Sequence, residues 1–315
     1  MKRILFILTP CLILIGFSLR SNLFNSNNYP LDPLEGKKGF LEAMGYVDEH
    51  SPMKDPAIDY SQYHNYDTFG EDILLIINYN HPYYKNNDFL RKLYSPFFPN
   101  IVFFGPTSGP DIHSYDAQYG AWGHRAIAMA MEMYPNYQGY LFLEDDCVFH
   151  FWNMVRFDKN KIWIGDKNNR RIYHFNEKAR WSNWNHDYYG CNKLQNAMQK
   201  ISLRHRKMLE KNIGQNAGLG GMADIIYFPA RFKNEVIKLA HLFANELVFI
   251  EIALPTITAC LDEEKNWESL HGRWGYLDEY NPCLDFVHPI KFSVEENRTF
   301  IQNLFEQQSE KNCKS

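Results

Sequence analysis

An α/β fold with a mainly parallel central sheet is what the sequence predicts, and three observations carry the prediction. Three short, almost wholly apolar runs occur at residues 72–79 (DILLIINY), 101–104 (IVFF) and 140–143 (YLFL). Runs that are apolar at nearly every position suit strands buried on both faces, as in parallel sheets. Stretches of helical character separate them, at residues 88–94 and 121–134, the second ending before Pro135. The resulting β-α-β-α-β order is that of parallel strands joined by crossover helices.

The elements before and after this unit follow in turn. The chain opens MKRILFILTPCLILIGFSLR, in which Lys2 and Arg3 precede an apolar run over residues 4–17. That run is shorter than the ~20 residues of a full span. Residues 1–20 therefore read as a signal anchor or signal peptide. With no small-x-small cleavage site in the flank, the expectation is an uncleaved anchor with a cytosolic N-terminus and a lumenal remainder. The alternative is a cleaved signal and a secreted protein. Residues 21–69 are polar and aperiodic and read as a lumenal stem; the folded domain is expected over 70–315.

Beyond the opening unit, residues 161–164 read as a short strand and 171–189 as an aromatic loop or small ribbon. Residues 194–211 read as one basic amphipathic helix. A glycine-rich turn (residues 218–221) precedes a strand at 224–228. Helices are expected over 231–243 and 246–254, the second ended or kinked by Pro255. Ser293-Val294-Glu295-Glu296 is a capping box opening a C-terminal helix.

Composition excludes some functions. The net charge of -4 comes without any basic stripe, so nucleic-acid binding has no electrostatic footprint. Of six cysteines, Cys11 lies in the anchor; an odd five follow it, so at least one stays unpaired within the chain. No CxxC spacing supports a zinc site. Asn297-Arg298-Thr299 is a glycosylation sequon, in keeping with a lumenal domain.

The strongest chemical feature is Glu144-Asp145-Asp146 at the carboxyl end of the apolar strand YLFL. Ligands of α/β sheets bind at that end of the strands. Three adjacent acids repel unless a positive charge sits among them, and a divalent cation with oxygen ligands supplies it. Such an ion would neutralise a diphosphate leaving group. A solvated acidic loop is the plain alternative.

The run LFLEDD is similar to the DxD element of GT-A-fold glycosyltransferases. GYLFLEDDCVFHFWN (residues 139–153), running on to KIWIGDK (161–167), resembles the STELLO family, classed as Golgi type II membrane glycosyltransferases. IIYFPARF (225–232), EIALP (251–255), FVHP (286–289), LLIINYNHP and LYSPFFPNIVFFGP add to the likeness, which covers roughly residues 72–305. The resemblance implies a GT-A-like nucleotide-sugar-binding fold. It also implies a metal-dependent transferase acting on a nucleotide sugar, with UDP as the commonest case, and a glycan or glycoprotein acceptor. Location in the Golgi membrane as a single-pass type II protein follows from the same likeness. Expected partners also include a second copy of the chain or other Golgi enzymes. Asp146 would then ligate Mn²⁺ or Mg²⁺, with Asp145 or Glu144 reaching the metal or the ribose. His288 matches the late histidine ligand of such enzymes.

Other residues are candidates beside these. Asn78, Tyr79 and Asn80 end the first strand where a base and ribose would lie, Tyr79 stacking and the asparagines hydrogen-bonding. Arg125 precedes the acidic motif and could meet a phosphate or the acids. Glycines at 218–221 would let backbone approach the acceptor side. A general base is needed to take the acceptor proton. Glu251, inside an apolar run, is preferred over Glu246 because burial raises a carboxyl pKa into a useful range. Trp181 and Trp184 could form a stacking platform for an acceptor sugar, or anchor a loop to the core. Two rival readings remain: a non-catalytic Golgi assembly factor that keeps the fold, and a glycosidase with paired carboxylates, which a single acidic cluster fits poorly.

Overall fold

The computed structural model describes residues 69–118, 120–274, 284–292 and 294–308, with backbone alone at 273–274 and 304–308. The N-terminal anchor, all but the last residue of the stem, Cys283, Cys313 and the Ser293 cap lie outside the described residues. Among the described residues no helix is long and apolar enough to cross a membrane.

The predicted opening unit is present. β1 (Ile73–Asn78) is followed by α1 (Asn87–Tyr94), β2 (Ile101–Gly105), β3 (Ile112–Ser114), α2 (His124–Met133) and β4 (Gly139–Glu144). Every residue of β1 and of β4 is buried, as strands covered on both faces require. β1 pairs in parallel with β2 on one side and β4 on the other.

The sheet then departs from a purely parallel pattern. Its order is β10-β6-β9-β4-β1-β2-β3, with β6 (Trp163–Gly165), β9 (Ile225–Pro229) and β10 (Glu268–Leu270) on the β4 side. β9 runs antiparallel to both neighbours, β4 and β6. This reversal brings the start of β9 beside the carboxyl end of β4.

Three expectations are corrected. The 218–221 turn is a strand, β8 (Ala217–Gly221), because the predicted ribbon supplies its partner: β7 (Arg170–His174) pairs with it throughout. Beyond the short helix α3 (Phe151–Met154), the single basic helix is two, α4 (Cys191–Lys200) and α5 (Leu203–Ile213). Ser202 is extended and its Oγ accepts from the His205 N–H, capping the second helix. The helix placed at 246–254 begins later and passes through its proline. α6 (Lys233–Asn245) ends at Glu246, and α7 spans Ile250–Leu261 with Pro255 inside. A proline there removes one helical hydrogen bond, at a cost of roughly 3 kcal/mol. Burial outweighs it: every α7 residue except Glu251 is buried. α7 packs on β8 and α5, and α2 packs on α6.

A second, small sheet decides the site. β12 (Phe286–His288) pairs with β11 (Gly272–Trp274) in parallel and with β5 (Val148–Phe149) in antiparallel fashion. Val287 faces Val148 and Phe286 faces Phe149, so the late His-bearing strand is tied to the residues just after the acidic motif.

Candidate active site

β1 and β4 end at the same level, with Asn78 opposite Glu144. Asn78 is fully buried and its Nδ2 donates to both Glu144 oxygens, at 3.2 and 3.0 Å. Its Oδ1 accepts from the Tyr115 hydroxyl at 2.6 Å. Burial, then the charge of Asp224, push the Glu144 carboxyl well above its ordinary range, so it favours the neutral form. Gly123 lies against this network. A Cβ there would meet Ile250 Cδ1 at 2.7 Å and Glu144 Oε1 at 3.1 Å.

Asp146 faces a different environment. The β5–β12 pairing delivers His288, whose Nε2 lies 3.1 Å from Asp146 Oδ1 and 3.2 Å from Asp224 Oδ1. The Ile290 N–H donates to the Asp146 carbonyl at 2.6 Å, and the Lys291 ammonium pairs with Oδ2 of the same residue. Asp224 precedes β9, and its carbonyl accepts from the Glu144 N–H at 2.9 Å. Burial alone would raise Asp146, but Lys291 and His288 outweigh it and hold the carboxyl far below its usual range. Burial and then Asp146 push Asp145 well upward. His288 is raised: burial would lower it, but Asp224 and Asp146 prevail.

The donor set fits a divalent cation in kind. Asp146 and Asp224 offer carboxylates and His288 an imidazole, which suits Mn²⁺-like ions. Asp224 Oδ2 and His288 Nδ1 are buried with no hydrogen-bond partner. Among the described residues no three such side chains already form a cation cage, and the Lys291 ammonium supplies the positive charge on Asp146.

Glu251 opens toward the same place. Burial, then Asp224, push its carboxyl up to about 8, while His288 and a hydrogen bond from Asn183 pull the other way. It lines a cleft of 360 Å³ together with Trp181, Tyr173 and Gly220. Glu246 does not share this setting: it caps the end of α6, ion-paired with Lys200.

The remaining candidates divide. Tyr79 is fully buried, its hydroxyl donating to Asn87 Oδ1 at 2.7 Å and its ring set edge-on to Tyr84, so no face is open to a base. Asn78 spends its amide on Glu144 and Tyr115, which corrects the expectation that it reads a nucleotide. Asn80 is partly exposed beside Gly120. Arg125 lies over the Trp122 ring, 5.6 Å from its centre, and its charge is felt at Tyr115. Trp184 is wholly buried against Tyr173, with ring centres 5.0 Å apart, which corrects its place in a stacking platform. Trp181 alone of the two reaches the cleft. Cys147, Cys191 and Cys260 are free thiols.

Sequence reasoning missed Asp224, Lys291 and Tyr115 as site residues. Asp224 reads there only as the first residue of a strand. Its role depends on the antiparallel insertion of β9, which no local pattern announces. Lys291 lies three residues past His288, and that short spacing was a usable signal.

No protein-family model matches the chain. Over 248 residues, 73% of this chain, it is 23% identical to a protein of Arabidopsis thaliana named "Probable glycosyltransferase STELLO2". The chain is thus similar, at a distance, to a STELLO protein. "Probable glycosyltransferase STELLO1" of the same plant is 22% identical over 244 residues, again 73% of this chain. Each match takes in 31% of the relative, so the chain spans about a third of the length of the curated relatives it matches. It is thus a distant relative of proteins named as glycosyltransferases.

Proposed function

We propose that the chain is a metal-dependent glycosyltransferase that moves a sugar from a nucleotide-sugar donor, UDP-linked as the first choice, to a glycan or glycoprotein hydroxyl. The supporting observation is the meeting of Asp146, Asp224 and His288 at the carboxyl end of β4, with Glu251 within electrostatic reach of Asp224 and His288. Asp146, Asp224 and His288 would hold Mn²⁺ or Mg²⁺, which supplies positive charge to the leaving diphosphate. Lys291, whose side chain is 55% exposed, is available to the donor phosphates once it leaves Asp146. Glu251 accepts the proton of the acceptor hydroxyl as that oxygen bonds to the anomeric carbon and the sugar–phosphate bond breaks. Asn78, Tyr115 and Gly123 fix Glu144 and so the end of β4. The expected N-terminal anchor would carry this chemistry into the Golgi lumen as a type II protein.

The test is a nucleotide-sugar screen with Mn²⁺, reading UDP release and UDP binding for the wild type and Asp146→Asn. Metal-dependent release by the wild type alone is the expected result. No UDP binding at all by the wild type would instead favour the assembly-factor reading, for which the Lys291–Asp146 ion pair is the specific structural support. Metal-independent hydrolysis would favour a glycosidase.

A further inference from the structure

The cleft beside Glu251 carries chemistry that the transfer step does not use. β8 crosses its floor, and there glycine is required: a Cβ on Gly220 would meet Trp181 Cζ3 at 2.6 Å and Tyr173 Cε2 at 2.9 Å. The missing side chain lets Trp181 lie against the strand while part of its indole stays exposed. Two arginines from β7 line the same cleft. The Arg170 side chain is only 5% exposed, yet its nearest carboxylate, on Glu264, lies 3.8 Å away. Among the described residues its guanidinium makes one hydrogen bond, from Nε to the Asp166 carbonyl at 3.3 Å, and it lies over the Trp267 ring. A guanidinium buried this deeply ordinarily saturates its donors with acceptors. Arg171, with a 61% exposed side chain, sits as far from its own carboxylate, Glu177, at 3.8 Å. Two weakly engaged cations thus flank an aromatic face and a carboxylate, in a volume of 360 Å³ that suits one or two sugar rings.

We infer that this cleft binds an anionic carbohydrate: the apolar face of a ring lies on Trp181, its carboxylate or phosphate meets Arg170 and Arg171, and a hydroxyl points at Glu251. That this sugar is the acceptor rests on the transferase reading; that it binds here does not. The flat guanidinium fork matches both carboxylate and phosphate, so the class is set by charge rather than by one anion.

The experiment is a binding titration on the full chain with three probes: a hexuronate disaccharide, its carboxyl-reduced neutral counterpart, and a hexose 6-phosphate. An acidic probe should bind about 10-fold more tightly than the neutral one. Whichever acidic probe is tighter identifies the anion. Arg171→Ala, a surface change, should weaken the acidic probes up to about 5-fold and leave the neutral one unchanged. Trp181→Ala should weaken all three by about 10-fold. Arg170→Lys keeps the charge but not the fork, and thermal unfolding checks that it folds. Equal binding of neutral and acidic probes overturns the inference, as does acidic binding untouched by both Arg171→Ala and Trp181→Ala. UDP–Mn²⁺ titrations on the same proteins keep the two readings apart. Anionic sugar binding with no UDP binding upholds the cleft and removes the transferase.

Discussion

Glu144 and Asp146 belong to one acidic triplet, two residues apart, yet they occupy opposite electrostatic regimes. Glu144 turns inward to Asn78, whose amide is held in turn by Tyr115, and burial drives it toward the neutral form. Asp146 turns to His288 and Lys291 and stays ionised although it is just as deeply buried. The difference teaches that the triplet spans two environments, one favouring the neutral acid and one the carboxylate. Its first acid is held at the end of β4 by Asn78. Its last is the one whose charge is available for chemistry. What separates them is the cation supply: an amide cannot ionise a buried carboxyl, whereas an ammonium and an imidazole can.

The sharpest way to break this contrast is to neutralise each member in turn. Asp146→Asn should lower metal-dependent transfer by roughly 10²–10³-fold, the scale of losing a charge-stabilising group in a closed site. It should also weaken folding by about 1–3 kcal/mol, because Lys291 loses its ion-pair partner and His288 keeps only Asp224. Glu144→Gln should behave oppositely, costing little in donor binding because the native side chain is already close to neutral. Urea denaturation and UDP titration on both variants check the pair. Equal losses of UDP affinity would show that the triplet acts as a unit after all.

Glu251 sharpens the comparison on the pH axis. Its folded carboxyl is raised to about 8 from an ordinary value of 4.5. The folded state therefore binds this proton more tightly than the unfolded chain does. Its stabilising contribution is present at low pH and is lost as pH rises from about 4.5 to about 8. The wild type should lose on the order of one to a few kcal/mol across that window, and Glu251→Gln should show a shallower slope. The measurement is unfolding free energy at pH 5.5 and pH 7.5. Identical slopes would remove Glu251 as a titrating carboxyl of the cleft.

Tyr115→Phe tests the structural half. It leaves the buried Asn78 Oδ1 without its donor, at a cost of about 1–3 kcal/mol. Donor affinity should change much less than in Asp146→Asn. A loss of UDP binding as large as that of Asp146→Asn would mean that the Glu144 network contacts the ligand.

Much of this architecture was legible because it is local. β1, β2 and β4 announce themselves as unbroken apolar runs, and the acidic triplet at the end of β4 is visible without any fold. His288 was legible only through the family resemblance, and the physical reason emerged later: the short apolar pairs Val148-Phe149 and Phe286-Val287 form a two-rung ladder. Strands of two and three residues are too short for any periodicity to register. Asp224 was illegible as a site residue because its position depends on strand order, a non-local property. Tyr79 misled for the complementary reason. An aromatic at a strand end looks like a stacking surface, but α1 supplies Asn87, which takes its hydroxyl and seals the ring in.

Glu246 provides the smallest expected effect and decides between the two candidate bases. Sequence spacing alone leaves both acids on one helix; the structure gives them to different elements. Glu251 lies in the first turn of α7 beside the site, and Glu246 caps α6 with Lys200 as its partner. The Lys200 side chain is 57% exposed, so solvent screens the pair. Glu246→Gln should therefore change stability by no more than about 1 kcal/mol and leave turnover intact. Glu251→Gln should depress turnover more than donor affinity, since a base acts on the acceptor proton in the transition state and adds little to ground-state binding. Parallel kinetics on the two variants, with the donor varied, separates them. A turnover defect in Glu246→Gln that Glu251→Gln lacks would move the base to the far side of the α6–α7 turn and detach the cleft from the chemistry.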